Sequence, residues 1–273
     1  MSTQPKCEFI TVKIEKTVDS TIWTLFIQHP PANALTSDLI SEMHKAILLF
    51  QADDFARAMI LTAQGERFFC SGADINRILA ISSPEQGAEL AQEGQRLCDA
   101  IEQCDKPVIA AINGLCIGGG NEIAIACHMR IASTRAKFSQ PEINLGIIPA
   151  FGATQRLPKL IGPSKARKMM LTGDIIAAQD AVTIGLVDLV VQPEKLLDSA
   201  FFLIKKILKN SQICITSIQR AVRDGKNLQH SAGMELEIDC FKKVCESEDM
   251  KEGLLAFKEK RVPNYRNKKA ENQ

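Results

Sequence analysis

Gly114-Leu115-Cys116-Ile117-Gly118-Gly119-Gly120-Asn121-Glu122-Ile123-Ala124-Ile125-Ala126 runs through three consecutive glycines into an apolar, alanine-rich helix. Glycines at that junction let the backbone pass something closely where the unpaired N–H groups of a helix start emerge. Either a tight strand-to-helix connection or an anion or oxyanion site fits this pattern. No Gly-Lys-Ser/Thr follows, so it is not a phosphate loop of the Walker type, and it does not match the dinucleotide fingerprint Gly-x-Gly-x-x-Gly. Glu122 falls in the first turn of the helix among Ile123, Ala124, Ile125, Ala126 and Cys127. An acid there is favoured by the helix dipole, but a carboxylate predicted to be buried on nearly every side also needs a partner or a purpose. Twenty residues on, Glu142 again sits among apolar neighbours, in Phe138-Ser139-Gln140-Pro141-Glu142-Ile143-Asn144-Leu145. Two carboxylates in apolar settings suit paired acid and base work, because desolvation and like charge raise at least one pKa. Spacing alone does not bring them together.

Outward from this segment, strands and helices alternate. Pro107 opens a strand from Val108 to Asn113; before it come strands at Phe9 to Ile14, Thr21 to Ile27 and Ala58 to Thr62. Helices are predicted at Ser37 to Phe50, where Leu39, Met43 and Ile47 recur every four residues, and at Glu85 to Glu102. The alternation points to an α/β chain. From Ser164 onward the pattern reads as all-helical: Ser164 to Leu171, Ala177 to Ile184, Lys195 to Lys209, Ile215 to Arg223 and Ala232 to Cys245. No Gly/Ser- or Pro-rich linker separates the two parts, so the expectation is one core with a helical appendix.

The 273 residues carry 33 Lys+Arg against 32 Asp+Glu, so no overall field draws the chain to nucleic acid or an anionic membrane. An anionic ligand must be met locally, and residues 251–273, with seven Lys/Arg and three Glu, are the one strongly basic stretch. No apolar run reaches the ~20 residues of a membrane helix. The start, MSTQPKCEFI, reads as a mature cytosolic chain. Nine cysteines without a Cys-x-x-Cys pair are expected to be reduced, small core residues. Four histidines without i, i+3 or i+4 pairing argue against a zinc site, and no Gly-x-Ser-x-Gly elbow is present for Ser-His-Asp chemistry.

With these segments in hand, further ordered motifs carry a resemblance. They are Asn33-Ala34-Leu35, Ser71-Gly72-Ala73-Asp74-Ile75, Lys106-Pro107-Val108 through Asn113-Gly114, Gly118-Gly119-Gly120-Asn121-Glu122, Gln140-Pro141-Glu142, Thr154-Gln155-Arg156-Leu157, Leu171-Thr172-Gly173, Gly185-Leu186-Val187 and Ala256-Phe257-Lys258-Glu259-Lys260-Arg261. Each is weak alone, but in this order the chain resembles the enoyl-CoA hydratase/isomerase (crotonase) superfamily over nearly its whole length. The resemblance implies an α/β, crotonase-type spiral of ββα turns with a C-terminal helical trimerisation arm. Residues 1–200 would form the core with the acyl-CoA site and 201–273 the arm, in a homotrimer or a hexamer of paired trimers.

The resemblance further implies that the amides of Ala73 and Gly119 hold a thioester oxygen, that Glu122 activates water, and that Glu142 delivers a proton. CoA would be met by Ala32, Ala34, Ala73, Asp74, Ile75, Asn76, Gly118 and Gly119, and by Phe257 and Lys260 of the same or a neighbouring subunit. CoA enters as part of the substrate; no metal, redox cofactor, nucleic acid or membrane partner is implied, and the expected location is cytoplasmic. Because both acids are present, hydration of a 2-trans-enoyl-CoA is favoured over double-bond isomerisation or a dehydratase for a branched or polar acyl-CoA. An RNA-binding homologue is disfavoured by the acidic helix carrying Glu85, Glu89, Glu93 and Glu102 against Arg96. Three departures from relatives are Ala150 and Phe151 in Ile148-Pro149-Ala150-Phe151-Gly152-Ala153, and His128. Ala150 preserves backbone contacts to water only with a negative φ; Phe151 either packs or narrows the acyl pocket; His128 is expected to make a local hydrogen bond.

Overall fold

Near-continuous apolar runs, rather than alternating ones, build the central strands, which are therefore buried on both faces. The computed structural model describes residues 7–17 and 20–265. It opens with an antiparallel hairpin, β1 (Ile10–Lys16) and β2 (Thr21–Ile27), in which Ile10 faces Ile27. Helix α1 (Ser37–Ala52) follows, started by Thr36, whose side chain accepts from the Leu39 N–H. Its core stripe, Leu39, Met43, Ile47 and Phe50, is fully buried, each side chain contributing about 1.5–3 kcal/mol by burial.

One pattern then repeats: a strand for the first sheet, a short strand for the second, and a helical return. β3 (Ala56–Ala63), β4 (Phe68–Cys70), α2 (Ile75–Leu79) and α3 (Pro84–Glu102) form the first repeat. β5 (Val108–Ile112), β6 (Leu115–Ile117) and α4 (Gly119–Ala126) form the second. β7 (Met129–Ser133), β8 (Lys137–Ser139), a 3-10 turn (Pro141–Leu145), α5 (Ala153–Ile161) and α6 (Pro163–Thr172) form the third. β9 (Ile176–Ala177), α7 (Ala178–Thr183) and β10 (Leu189–Val191) complete the sheets. The first sheet has order β1-β2-β3-β5-β7-β10, parallel from β2 onward. The second has order β4-β6-β8-β9, with β9 antiparallel. Each repeat lays its strands beside those of the one before, which is the expected spiral of ββα turns. Within the second sheet, β4, β6 and β8 run parallel, so their C-terminal ends lie side by side.

The expectation of an all-helical chain after Ser164 is corrected by β9 and β10. β10 pairs with β7, Leu189 opposite Ile131, and β9 pairs with β8. Strands of two and three residues carry no period of their own; the exposed backbone edge of the preceding repeat makes them strands. Helix α11 (Glu248–Glu259), capped by the Ser247 side chain, is a further helix that the sequence reading did not separate from the basic tail.

The chain divides into two compact units at Phe201/Phe202. α8 (Leu196–Ile207) leads into the second, which contains α9 (Gln212–Gly225), α10 (His230–Cys245) and α11. That unit leaves Ile218, Val222, Ile238, Phe241, Leu254 and Phe257 exposed, and Ile238 and Phe241 help line a groove of about 470 Å³ on α10. Among the described residues no helix is long and apolar enough to cross a membrane. All nine cysteines are free, six of them buried. The basic stretch is described only to residue 265; the remainder of that reading lies outside the described residues.

Candidate active site

The residues just beyond β4, β6 and β8 converge on one cavity of about 440 Å³. Beyond β6, Gly118 takes φ +52°, a left-handed value that a Cβ would strain, and its N–H donates to the Ser139 carbonyl at 2.9 Å. This turns the chain into α4, every residue of which is buried. Gly119, the first residue of α4, carries an amide with no intrahelical acceptor. Beyond β4, the Leu35 N–H donates to the Gly72 carbonyl and the Asp74 N–H to the Leu35 carbonyl. In such a parallel bridge the amide of the residue between them, Ala73, points away from Leu35. Ser71, Gly72, Ala73, Gly118 and Gly119 all line the cavity. The two strand ends are in close approach, with a Cβ on Gly72 falling 3.4 Å from the Gly119 nitrogen.

Glu122, one turn into α4 and 2% exposed, lines the same cavity as Glu142. Its Oε1 accepts the N–H groups of Phe151 at 2.9 Å and Ala153 at 2.8 Å. Burial pushes its pKa from 4.5 up to about 7; the two amides and Arg156 pull it down, and Glu142 adds to the rise. Glu142, 9% exposed, is set in the 3-10 turn that Pro141 opens and Gly146 closes. Gln140 Nε2 lies 3.3 Å from its Oε1, and the Gln140 Oε1 accepts from Asn121 Nδ2 at 2.7 Å. Burial raises the Glu142 pKa as well, against its own backbone N–H. The remaining walls are apolar: Ile75, Ile78, Leu90, Leu145, Ile147 and Ile148 among them. A cavity of this size, largely apolar with a few convergent polar groups, suits a small acyl ligand.

Of the residues expected from sequence, the cavity brings together Ala73, Ile75, Gly118, Gly119, Glu122 and Glu142. Asp74 and Asn76 stand beside it at the start of α2, where the Asp74 carboxylate accepts the Asn76 N–H at 2.9 Å. Ala32 and Ala34 lie in the turn before α1; the Ala32 carbonyl accepts from Ser71 N–H and that of Ala34 bonds the His29 ring. Phe257 and Lys260 belong to the second unit, Phe257 86% exposed on α11 and Lys260 just past the helix end at φ +56°. Ala150 does not adopt a positive φ. The Phe151 ring both packs and lines the cavity: it is 3% exposed and lies against Gly94 and Gly119. His128 is a structural clamp, its Nδ1 accepting the Val108 N–H at 2.9 Å and its Nε2 facing the Glu102 carbonyl at 3.3 Å.

Sequence reasoning missed the Phe151 and Ala153 amides and Gln140. A glycine just before a helix start, Gly152, was the available signal for the former, and a polar residue directly before Pro141-Glu142 for the latter. Among the described residues, no three His, Cys, Asp or Glu side chains cluster to hold a metal ion.

Comparison with known proteins agrees with this geometry. Residues 17–268 match the family model described as enoyl-CoA hydratase/isomerase. The chain is 41% identical to a crotonyl-CoA hydratase of Syntrophomonas wolfei over 88% of its own length and 93% of that protein's. It is 37% identical to a short-chain-enoyl-CoA hydratase of Clostridium acetobutylicum, over 96% and 100%. The crystal structure of an enoyl-CoA hydratase from Bacillus anthracis superposes with a TM-score of 0.89 at 34% identity, covering 96% of this chain and all of that one. Spiral, glycine-rich helix start and paired acids thus occur together here over nearly the full chain, and this protein belongs to the enoyl-CoA hydratase/isomerase family.

Proposed function

We propose that the protein is an enoyl-CoA hydratase, adding water reversibly and syn across a 2-trans-enoyl-CoA to give a 3-hydroxyacyl-CoA. The observation that carries this reading is that Glu122 and Glu142 line one cavity together with Ala73 and Gly119. The amides of Ala73 and Gly119 receive the thioester oxygen, on which negative charge develops as oxygen adds to C3; one such donor is worth about 3 kcal/mol of barrier. The α4 start adds its dipole. Glu122 removes a proton from the attacking water and Glu142 supplies one to C2, so one proton leaves and one arrives. The apolar walls take the acyl chain, and Ala32, Ala34, Asp74, Ile75, Asn76 and Gly118 are the residues we assign to CoA; Phe257 and Lys260 of the second unit are assigned to CoA of the same or a neighbouring subunit. CoA enters only as part of the substrate, and the addition as written uses no further cofactor.

Burial holds both acids above the usual carboxylate range, Glu122 at about 7, and a charged Glu142 adds to the rise at Glu122. An acyl group filling the cavity covers Glu142 and raises its pKa further, favouring the protonated form that must donate. The charge that Glu142 then lacks no longer opposes ionisation of Glu122.

Loss of the enoyl-thioester ultraviolet absorbance of crotonyl-CoA, with 3-hydroxybutyryl-CoA identified as product, tests the reading. A wild type inert toward crotonyl-CoA would shift the assignment to an isomerase or a dehydratase of a more specialised acyl-CoA. We further propose assembly as a homotrimer or hexamer through the exposed apolar faces of the second unit, since clustered apolar surface of that kind marks association. Light scattering after size exclusion is expected to give three or six times the chain mass; a monomer excludes it. The nine free cysteines favour a reducing, cytoplasmic setting.

A further inference from the structure

The turn that clasps Glu122 is itself clasped from behind. Three successive peptide carbonyls are taken up: Ala150 by Gln95 Nε2 at 2.8 Å, Phe151 by Arg156 Nη1 at 3.0 Å, and Gly152 by the N–H groups of Gln155 and Arg156 at 3.0 and 2.9 Å. The Arg156 side chain is 12% exposed. Two further donors go to α3, Nε to the Glu102 carboxylate at 2.9 Å and Nη2 to Asp99. Gln95, Asp99 and Glu102 follow one another at i, i+4 and i+7, so one face of α3 holds the whole assembly. Gly152, at φ +116°, leaves the space that the guanidinium enters; a Cβ there would collide with Arg156 Nη1.

Two independent effects reach Glu122 from this arrangement. Fixing the Phe151 peptide fixes the direction in which the neighbouring Phe151 and Ala153 amides meet Glu122 Oε1. The guanidinium also places a positive charge close enough to favour the ionised carboxylate. The other titratable groups facing Glu122 are Glu142, which opposes ionisation, and the buried Cys98 thiol on α3. A salt-bridged arginine whose only task was to tie α5 to α3 would need no donor on the Phe151 carbonyl.

We infer that Arg156 is a positioning residue for water activation, acting through the Phe151 peptide and its charge to keep Glu122 oriented and ionised. This rests on the hydratase reading, and the two fail differently: an inert wild type defeats that reading, whereas an active wild type with unchanged Arg156 variants defeats this one. The experiment compares wild type, Arg156→Gln and Arg156→Lys on crotonyl-CoA, with kcat, KM and the pH profile of kcat/KM, each protein checked by thermal melting. Arg156→Gln is expected to lose roughly 10- to 100-fold in kcat, the scale of a misplaced reacting group, with KM within about 3-fold. Its acid limb should move to higher pH, because the charge favouring ionised Glu122 is gone. Arg156→Lys, which keeps the charge but not the three-way fork, should return the limb toward wild type while kcat stays reduced. A folded Arg156→Gln with wild-type kcat and an unmoved limb overturns the inference, as does a loss confined to KM. Should Arg156→Gln not fold, the Arg156→Lys kcat decides, wild-type turnover overturning the role.

Discussion

Replacing Glu122 by Gln is expected to lower hydration of crotonyl-CoA by roughly 10³-fold, the range set by loss of a positioned proton acceptor, while leaving the fold intact. Gln is isosteric, and its carbonyl oxygen can still accept the Phe151 and Ala153 amides that Glu122 Oε1 accepts now. Only the capacity to take a proton disappears. The same substitution should stabilise the protein above neutral pH. Burial lifts the folded pKa of Glu122 from 4.5 to about 7. Between those values the unfolded chain has already lost the proton that the folded chain retains, so stability falls as pH rises through that window. The cost reaches about 3 kcal/mol above it, and Gln does not incur it. Melting temperatures of wild type and Glu122→Gln should therefore converge near pH 4.5 and separate by pH 8, with the variant higher. In wild type, kcat/KM should fall below pH 7 as Glu122 takes up its proton. An active Glu122→Gln, or a variant that melts lower at pH 8 than wild type, would contradict the assignment of Glu122 as the buried base.

The second large effect belongs to Gly120. A Cβ at this position would stand 2.4 Å from the Cys70 carbonyl oxygen and 2.7 Å from the Cys70 Cβ. Cys70 is fully buried and ends β4, so the obstacle is backbone and has nowhere to retreat. Gly120→Ala must push α4 away from β4, at a cost of about 3 kcal/mol by the scale of overpacked cores, or roughly 5–10 °C in melting temperature. The displacement also separates Gly119 from Ala73, and a misplaced oxyanion donor costs roughly 10²-fold in kcat. Gly225→Ala is the control: no atom lies within 4 Å of the added methyl at the end of α9, and its melting temperature should not fall. Equal behaviour of the two alanine variants would show that β4 and α4 are not held as tightly as the geometry requires.

What could be read from the sequence was local. Three glycines, a helix start and a carboxylate one turn in follow from Gly118 to Glu122 alone, and α1 from the spacing of Leu39, Met43 and Ile47. The meeting of Glu122 with Glu142 was not readable from spacing. It depends on β6 and β8 pairing with Ile117 opposite Ser139, a register that neither strand displays in isolation. The Phe151 and Ala153 amides reach Glu122 across 29 and 31 residues of chain, and backbone donors leave no trace in residue identity. β9 and β10 were lost for the same reason, being short segments made into strands by an edge already present.

The adjacency of β4, β6 and β8 has one more consequence. Ala73, Gly119 and Glu142 each follow one of these strands by two or three residues. Their separations are therefore measured out in rungs of a hydrogen-bonded ladder, about 4.8 Å per step, a dimension that side-chain substitution scarcely alters. The proposed thioester grip and the proposed proton donor sit on separate pegs of one rack. A peg can be exchanged for another chemistry without re-spacing its neighbours, which makes the residues after β8, rather than those after β4 or β6, the place where a new reaction could be installed with the substrate still held.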